Sequence, residues 1–222
     1  MKTKWLAFIL LASTAGSGPI MAEGNGSAGA EKSAACVSCH GEHGNSMVAT
    51  FPKLAQQHAT YLEKQLLAFK NGTRKDPMMA TIAKGLSDKD IVDIAAYYEE
   101  QKISANALPK PEPDDDEDDD IPAQTEADVQ KMLSQGADLY RNGDIAREVS
   151  ACIACHGPTA EGNKPAGFPS LKSQHADYLI KTLTDFKSGN RSNNADNMMV
   201  MIAKKMTPDE IKAVAYRISV MK

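Results

Sequence analysis

Two stretches of this chain repeat one another at marked positions, and that duplication limits the possible folds more than any other feature. Cys36-Val37-Ser38-Cys39-His40-Gly41 is matched by Cys152-Ile153-Ala154-Cys155-His156-Gly157. Phe51-Pro52-Lys53-Leu54 then meets Phe168-Pro169-Ser170-Leu171, and His58-Ala59-Thr60-Tyr61-Leu62 meets His175-Ala176-Asp177-Tyr178-Leu179. Phe69-Lys70-Asn71-Gly72 corresponds to Phe186-Lys187-Ser188-Gly189, and Arg74, Met78 and Met79 to Arg191, Met198 and Met199. The order never changes and the offset drifts only slightly, so the differences are short loop insertions. The chain is two tandem copies of one structural unit.

Each copy reads as helical. Leu62, Leu66 and Phe69 fall at i, i+4, i+7, as do Leu179, Leu183 and Phe186, with Gly72 and Gly189 placed to end those helices. A last helix in each copy has a clear start. Thr207-Pro208-Asp209-Glu210 supplies the cap, the first-turn proline and the acid of a capping box, and Ser87 with Asp90 repeats the arrangement. Ile91, Ile94, Ala95 and Tyr98 form one apolar face, and Ile211, Val214, Ala215 and Ile218 its counterpart. Val129, Met132, Leu133, Gly136 and Tyr140 predict a helix before the second motif. Its equivalent in the first copy, Gly29–Ala35, is shorter and weaker. Strand-like alternation is lacking, so the fold class is all-α.

The first 22 residues predict an export signal. Lys2 and Lys4 precede a short apolar run over 5–15, and Ile20-Met21-Ala22 ends on a small residue suited to cleavage near Ala22. No later run is long and apolar enough to span a bilayer, so the mature chain is expected in the periplasm without a transmembrane segment. The net charge of −4 is unevenly spread: residues 112–120 alone carry eight acids and no base. Residues 23–111 balance 10 basic against 10 acidic side chains, and 121–222 hold 13 against 11, which gives no basic excess for nucleic acid. Residues 108–122, rich in proline and acid, predict a solvated linker between domains spanning 23–107 and 123–222. It serves as a spacer or, alternatively, as an electrostatic handle for a basic partner.

The four cysteines all belong to the two C-x-x-C-H motifs. Four cysteines in an exported chain would ordinarily mean disulfides, and tetrahedral zinc is allowed by ligand count. The histidine directly after each pair changes the argument: C-x-x-C-H is the attachment signature of c-type haem. Cys36, Cys39, Cys152 and Cys155 would form thioethers to two haem c groups, with His40 and His156 on the irons. A sixth ligand should recur in both copies. His58 and His175 recur but open helices beside tyrosines, which gives them surface or supporting roles, and the unmatched His43 reads as an exposed loop residue. Methionine is a soft ligand that raises the reduction potential. Met78-Met79 and Met198-Met199 stand in equivalent places. Counting back from the caps Ser87 and Thr207 selects Met79 and Met199, although spacing leaves the preceding methionine of each pair open. Met201 faces Thr81 in the first copy and is expected in the core.

Across nearly the whole mature sequence these motifs resemble the cytochrome c4 family, dihaem proteins made of two class I cytochrome c domains. The resemblance implies that Met79 and Met199 are the axial iron ligands and that the carbonyls of Pro52 and Pro169 orient His40 and His156. It also implies a carrier, free or loosely membrane-associated, that moves electrons in the periplasm between membrane-bound respiratory donors and acceptors, from the quinol-oxidising side to a terminal oxidase or reductase. Irons closed by His and Met leave no position for substrate, which argues for a carrier over an enzyme. The alternatives are a dihaem cytochrome c peroxidase and a fixed electron-entry subunit of a dehydrogenase. Two departures from the family pattern are the long acidic linker, which predicts looser domain packing, and the meagre first helix.

Overall fold

A computed structural model describes residues 24–111 and 124–222. The export segment and the acidic run 112–120 lie outside the described residues. The first copy contains α1 (Gly26–Lys32), α2 (Val37–His40), α3 (Ala59–Lys70), α4 (Pro77–Lys84) and α5 (Asp88–Glu100). The second repeats them as α6 (Glu126–Asn142), α7 (Ile153–His156), α8 (Ala176–Ser188), α9 (Met198–Lys205) and α10 (Pro208–Ser219). Among the described residues the only β pairing is two isolated bridges, Asp144 with Val149 and Asn163 with Phe168.

In both domains the first helix crosses the last, and the third element packs against the last and against the short methionine-bearing helix. The predicted capping boxes at Ser87 and Thr207 are formed, and Thr125 with Asp128 makes a third at the start of α6. Periodicity places Ile91, Ile94, Ala95 and Tyr98 of α5 in one core, and Ile211, Val214, Ala215 and Ile218 of α10 in the other. Gly189 ends α8 with φ +81°, the left-handed conformation that glycine adopts at least cost.

The crossing of first and last helices is close enough to demand glycine. A Cβ on Gly29 would lie 2.0 Å from the carbonyl oxygen of Asp93, and one on Gly136 would lie 2.1 Å from that of Ala213. The weak-looking first helix is short, as expected, and continues as a 3₁₀ turn over Ser33–Cys36. It is held by charge rather than by length. Asp93 is buried, accepts from the Asn25 amide, and pairs with Lys32 at 2.7 Å and Lys89 at 3.0 Å.

Hydrogen bonding from Lys32, helped by the Asn25 amide and by Lys89, holds the Asp93 carboxyl well below the ordinary aspartate value of 3.8. A depressed carboxylate stabilises the fold above its unfolded pKa, and that contribution is lost as pH falls through the folded value. The first domain should therefore melt at progressively lower temperature as pH drops below about 4. Calorimetry over that range should show the loss in the natural chain and little of it in Asp93→Ala, which starts lower at neutral pH. The second domain has Ala213 at this place and lacks the switch.

Hydrogen bonds across the junction hold the domains together, against the looser packing that the acidic linker predicts. The stretch 102–107, ahead of the acidic run, is a strap across the junction. Asn45 binds it at Lys102 O and Ser104 N. The Asn106 side chain donates to the carbonyls of Ser173, Gln174 and Ser219 in the second domain at 3.0–3.1 Å.

Met201 is also placed differently from expectation. It is 54% exposed rather than in the core. On α9 the buried positions are Val200 and Ala203, and a residue one step beyond Val200 turns outward.

Two candidate haem sites joined across one interface

His40 and His156 end the short helices α2 and α7, which the C-x-x-C spacing makes into one turn with both cysteines ahead of the ring. None of the four cysteines is tied up in a disulfide, and each is half-buried. Both rings are buried. His40 Nδ1 donates to the Pro52 carbonyl at 2.9 Å and His156 Nδ1 to the Pro169 carbonyl at 2.9 Å. A carbonyl only accepts, so the proton sits on Nδ1 and Nε2 is left with its lone pair. Burial lowers the pKa of both imidazoles and keeps them neutral, although the proline bonds oppose the shift. This is the state that binds a metal. Phe51 and Phe168 lie beside the two rings, each 6.3 Å between centroids.

In the first domain Cys36, Cys39, His40, Pro52 and Met79 all line one cavity of about 730 Å³, walled by Leu54, Leu62, Leu66, Phe69 and Ile94. That volume lies in the upper part of the range for cofactor sites, roughly 300–1,000 Å³. Met78 and Met79 both border the cavity; Met79 is half-buried, its amide capped by Asp76 Oδ1 at 2.9 Å, whereas Met78 is 53% exposed. In the second domain Cys152 packs into the apolar core, and Met199 packs against Phe186, Val200 and Ala203. The Met199 amide takes a cap from Asn194 at 2.9 Å.

Among the described residues no cluster of three His, Cys, Asp or Glu could hold a metal, which removes the shared-zinc reading. His43 is exposed in its loop, as expected. His58 and His175 precede α3 and α8, and His175 Nε2 donates to the Ser46 carbonyl of the first domain at 2.9 Å. These histidines belong to the domain junction.

A haem brings carboxylates as well as iron, and the wall of the cavity is suited to them. Arg74 stacks on Phe69 at 4.4 Å and Arg191 on Phe186 at 4.6 Å. Arg191 is buried, and both guanidiniums reach across the interface: Arg74 donates to the Tyr178 hydroxyl and Arg191 to the Tyr61 hydroxyl. Their other partners, Gln65 and Asn193, are also neutral. Among the described residues neither guanidinium pairs with a carboxylate, and both border the cavity, Arg191 buried and Arg74 half-buried, which prepares the wall for anionic groups. Burial alone would raise the Tyr178 phenol, but the charges of Arg74 and Arg191 prevail and bring it down to about 8.

Sequence reasoning aligned these arginines and tyrosines without giving them a task. It missed a second device altogether. Gln57 Nε2 donates to the Ser170 carbonyl at 2.8 Å while its Oε1 accepts from the Ser170 amide at 3.0 Å. Gln174 does the same to Lys53, at 2.9 and 2.8 Å. Lys53 and Ser170 directly follow the prolines that orient the two histidines. Each domain thereby fixes the peptide that aims the other domain's ligand. The available signal was that Gln57 and Gln174 recur at the common offset.

Two short helical turns carrying paired thiols and a neutral buried imidazole, each inside its own copy of a five-helix unit, define a two-domain c-type cytochrome. The profile of the family described as Cytochrome c matches the chain twice, over residues 25–102 and 133–219. Cytochrome c4 of Azotobacter vinelandii is 39% identical over 204 residues, covering 87% of this chain and 88% of that protein. The solved structure of reduced cytochrome c4 from Pseudomonas stutzeri superposes with TM-score 0.78 at 37% identity, covering 90% of this chain and 100% of the other. A protein named thiosulfate dehydrogenase electron acceptor, from Stutzerimonas stutzeri, is 35% identical over 185 residues, covering 82% of this chain and 76% of that protein. The chain belongs to the cytochrome c4 family of dihaem electron carriers, and its two domains carry two covalently bound haem c groups. Among the described residues no helix is long and apolar enough to cross a membrane.

Proposed function

We propose that this chain is a periplasmic shuttle whose two irons are each held between a histidine and a methionine, His40 with Met79 and His156 with Met199. It takes electrons from the quinol-oxidising side of a respiratory chain and passes them to a terminal oxidase or reductase. The observation that carries this reading is the matched donor set. Each neutral buried imidazole has a half-buried methionine at the same place in its repeat, and in the first domain both face one cavity. The leader-like residues 1–22 support the location.

When bound, each haem supplies one-electron chemistry between Fe(III) and Fe(II). The chain supplies everything that makes this fast. The cysteines fix the macrocycle, and Pro52 and Pro169 lock the imidazoles so that no ring turns when the charge changes. The thioethers favour the reduced metal. The leucines, Phe69 and Ile94 keep water from the first site, and Arg74 and Arg191 answer the carboxylates. With a histidine and a methionine holding each iron, little would rearrange on electron transfer and substrates would have no place to bind.

A second reading has its own support: the relative from Stutzerimonas stutzeri is named as the electron acceptor of a dehydrogenase, so an oxidising enzyme is the alternative donor. Visible redox titration of the holoprotein should show a methionine-to-iron charge-transfer band and two high-potential waves. A high-spin haem in the working protein, with turnover of peroxide, would overturn the shuttle. Rapid-mixing reduction by a quinol-oxidising complex and by a purified dehydrogenase then ranks the two donors.

A further inference from the structure

The two sites are near copies, but one difference beside the ligand carbonyls is large. Lys53 follows Pro52 in the first domain, and Ser170 follows Pro169 in the second. Lys53 is only 4% exposed and lies in the wall of the cavity that also contains His40 and Met79. Its Nζ donates to the Ser104 carbonyl and to Asn106 Oδ1, both at 2.7 Å. That is the length of hydrogen bonds from a charged ammonium. Both acceptors are neutral, and among the described residues no carboxylate pairs with it. Its charge opposes protonation of His175. Gln174 grips the Lys53 peptide from the other domain and the strap grips its ammonium, so the charge is held in place. An unpaired cation in a desolvated site is costly to keep, and its field is little screened there.

We propose that Lys53 sets the potential of the first haem apart from that of the second, its buried ammonium favouring the reduced iron in a domain whose counterpart has only a serine. The inference rests on the two-haem carrier reading and adds a direction to it. Lys53 raises the first centre relative to what the same ligands would give without it, while Ser170 leaves the second to its ligands alone. The strap that joins the domains also anchors the charge that distinguishes them.

The test uses the full-length holoprotein and potentiometric titration in which NMR signals of each haem report the two centres separately. In Lys53→Met the first haem should lose about threefold to tenfold in its reduced-to-oxidised ratio at fixed potential, up to roughly 59 mV for one electron, with the second unmoved. Lys53→Arg, which keeps the charge, should retain most of the natural value. Asn106→Ala removes one of the two anchors of the ammonium and should lower the first wave partway, by less than Lys53→Met. A first wave unmoved in Lys53→Met, or one that falls as far in Lys53→Arg as in Lys53→Met, would overturn the assignment. Failure of the carrier reading is seen separately, as a missing methionine–iron band or a high-spin haem in the unaltered protein.

Discussion

Gly136→Ala should unfold the second domain at a temperature roughly 10–20 °C lower than in the natural protein, while the first domain keeps its own transition. The added methyl has nowhere to go. It would stand 2.1 Å from the Ala213 carbonyl oxygen and 2.6 Å from its carbon, and the Arg217 Cβ closes the third side at 2.9 Å. The obstacle is the backbone of α10, which cannot rotate away as a side chain would, so the helices must separate. Overpacking against backbone falls at the upper end of the usual range, about 3 kcal/mol, and each kcal/mol lowers Tm by roughly 4–8 °C in a domain of this size. Separation of α6 from α10 also opens the core around Leu139, Tyr140 and Val214. Gly29→Ala should do the same to the first domain, its methyl 2.0 Å from the Asp93 carbonyl oxygen. There the shift is expected to be as large, because α1 is only seven residues long and depends on the Asp93 contacts that the movement breaks. Calorimetry on both variants, with haem content measured after export, checks the pair. Equal loss in both domains from either change would mean that the junction, not the crossing, limits stability.

What was legible in the sequence follows from the range of the physics involved. Covalent attachment needs Cys36, Cys39 and His40 on one helical turn, so the chemistry is written in adjacent residues and can be read directly. Capping works over three residues and is legible for the same reason, as at Ser87 and Thr207. The Pro52 carbonyl is 12 residues from its histidine, and only the family resemblance pointed to it. Gln57, Gln174 and Arg191 act across more than a hundred residues, through a junction that no local pattern describes. The linker misled because its acids predict repulsion, whereas docking is decided outside the acidic run, by Asn106 and the paired glutamines Gln57 and Gln174. The short helices α4 and α9 were also missed. Asp76 caps α4 and bonds to the Met79 amide three residues on, whereas α9 is capped by Asn197 and the Met199 amide bonds to Asn194 five residues back, so the two repeats lack a shared cap spacing. Duplication helped wherever both copies solved a problem with the same residue. It was silent where one copy departs, as at Lys53, Gln65 and Asp93.

Removal of a single methionine should have the largest functional consequence of any substitution in this chain. Met79→Ala should abolish the charge-transfer band of the first haem and lower its potential. The expected shift in reduced-to-oxidised ratio is at least tenfold, ~59 mV or more for one electron, because the soft thioether that favours Fe(II) is lost. Met199→Ala should do this to the second haem and leave the first intact. The neighbouring residues serve as controls with contrasting exposure. Met78 also borders the cavity but is 53% exposed where Met79 is half-buried, so Met78→Ala should keep the band and nearly the natural potential. Met198→Ala tests the less obvious side, since Met198 and Met199 are both half-buried and only Met199 packs on Phe186, Val200 and Ala203. An open position would also admit peroxide or another small ligand, and the variants should acquire a high-spin signal that the natural chain lacks. If Met78→Ala or Met198→Ala removes the band in place of its neighbour, the ligand assignment moves by one residue while the closed histidine–methionine centre survives. If all four variants leave both bands unchanged, methionine ligation is wrong at both centres. The case for a carrier over a catalyst would then lose its main support.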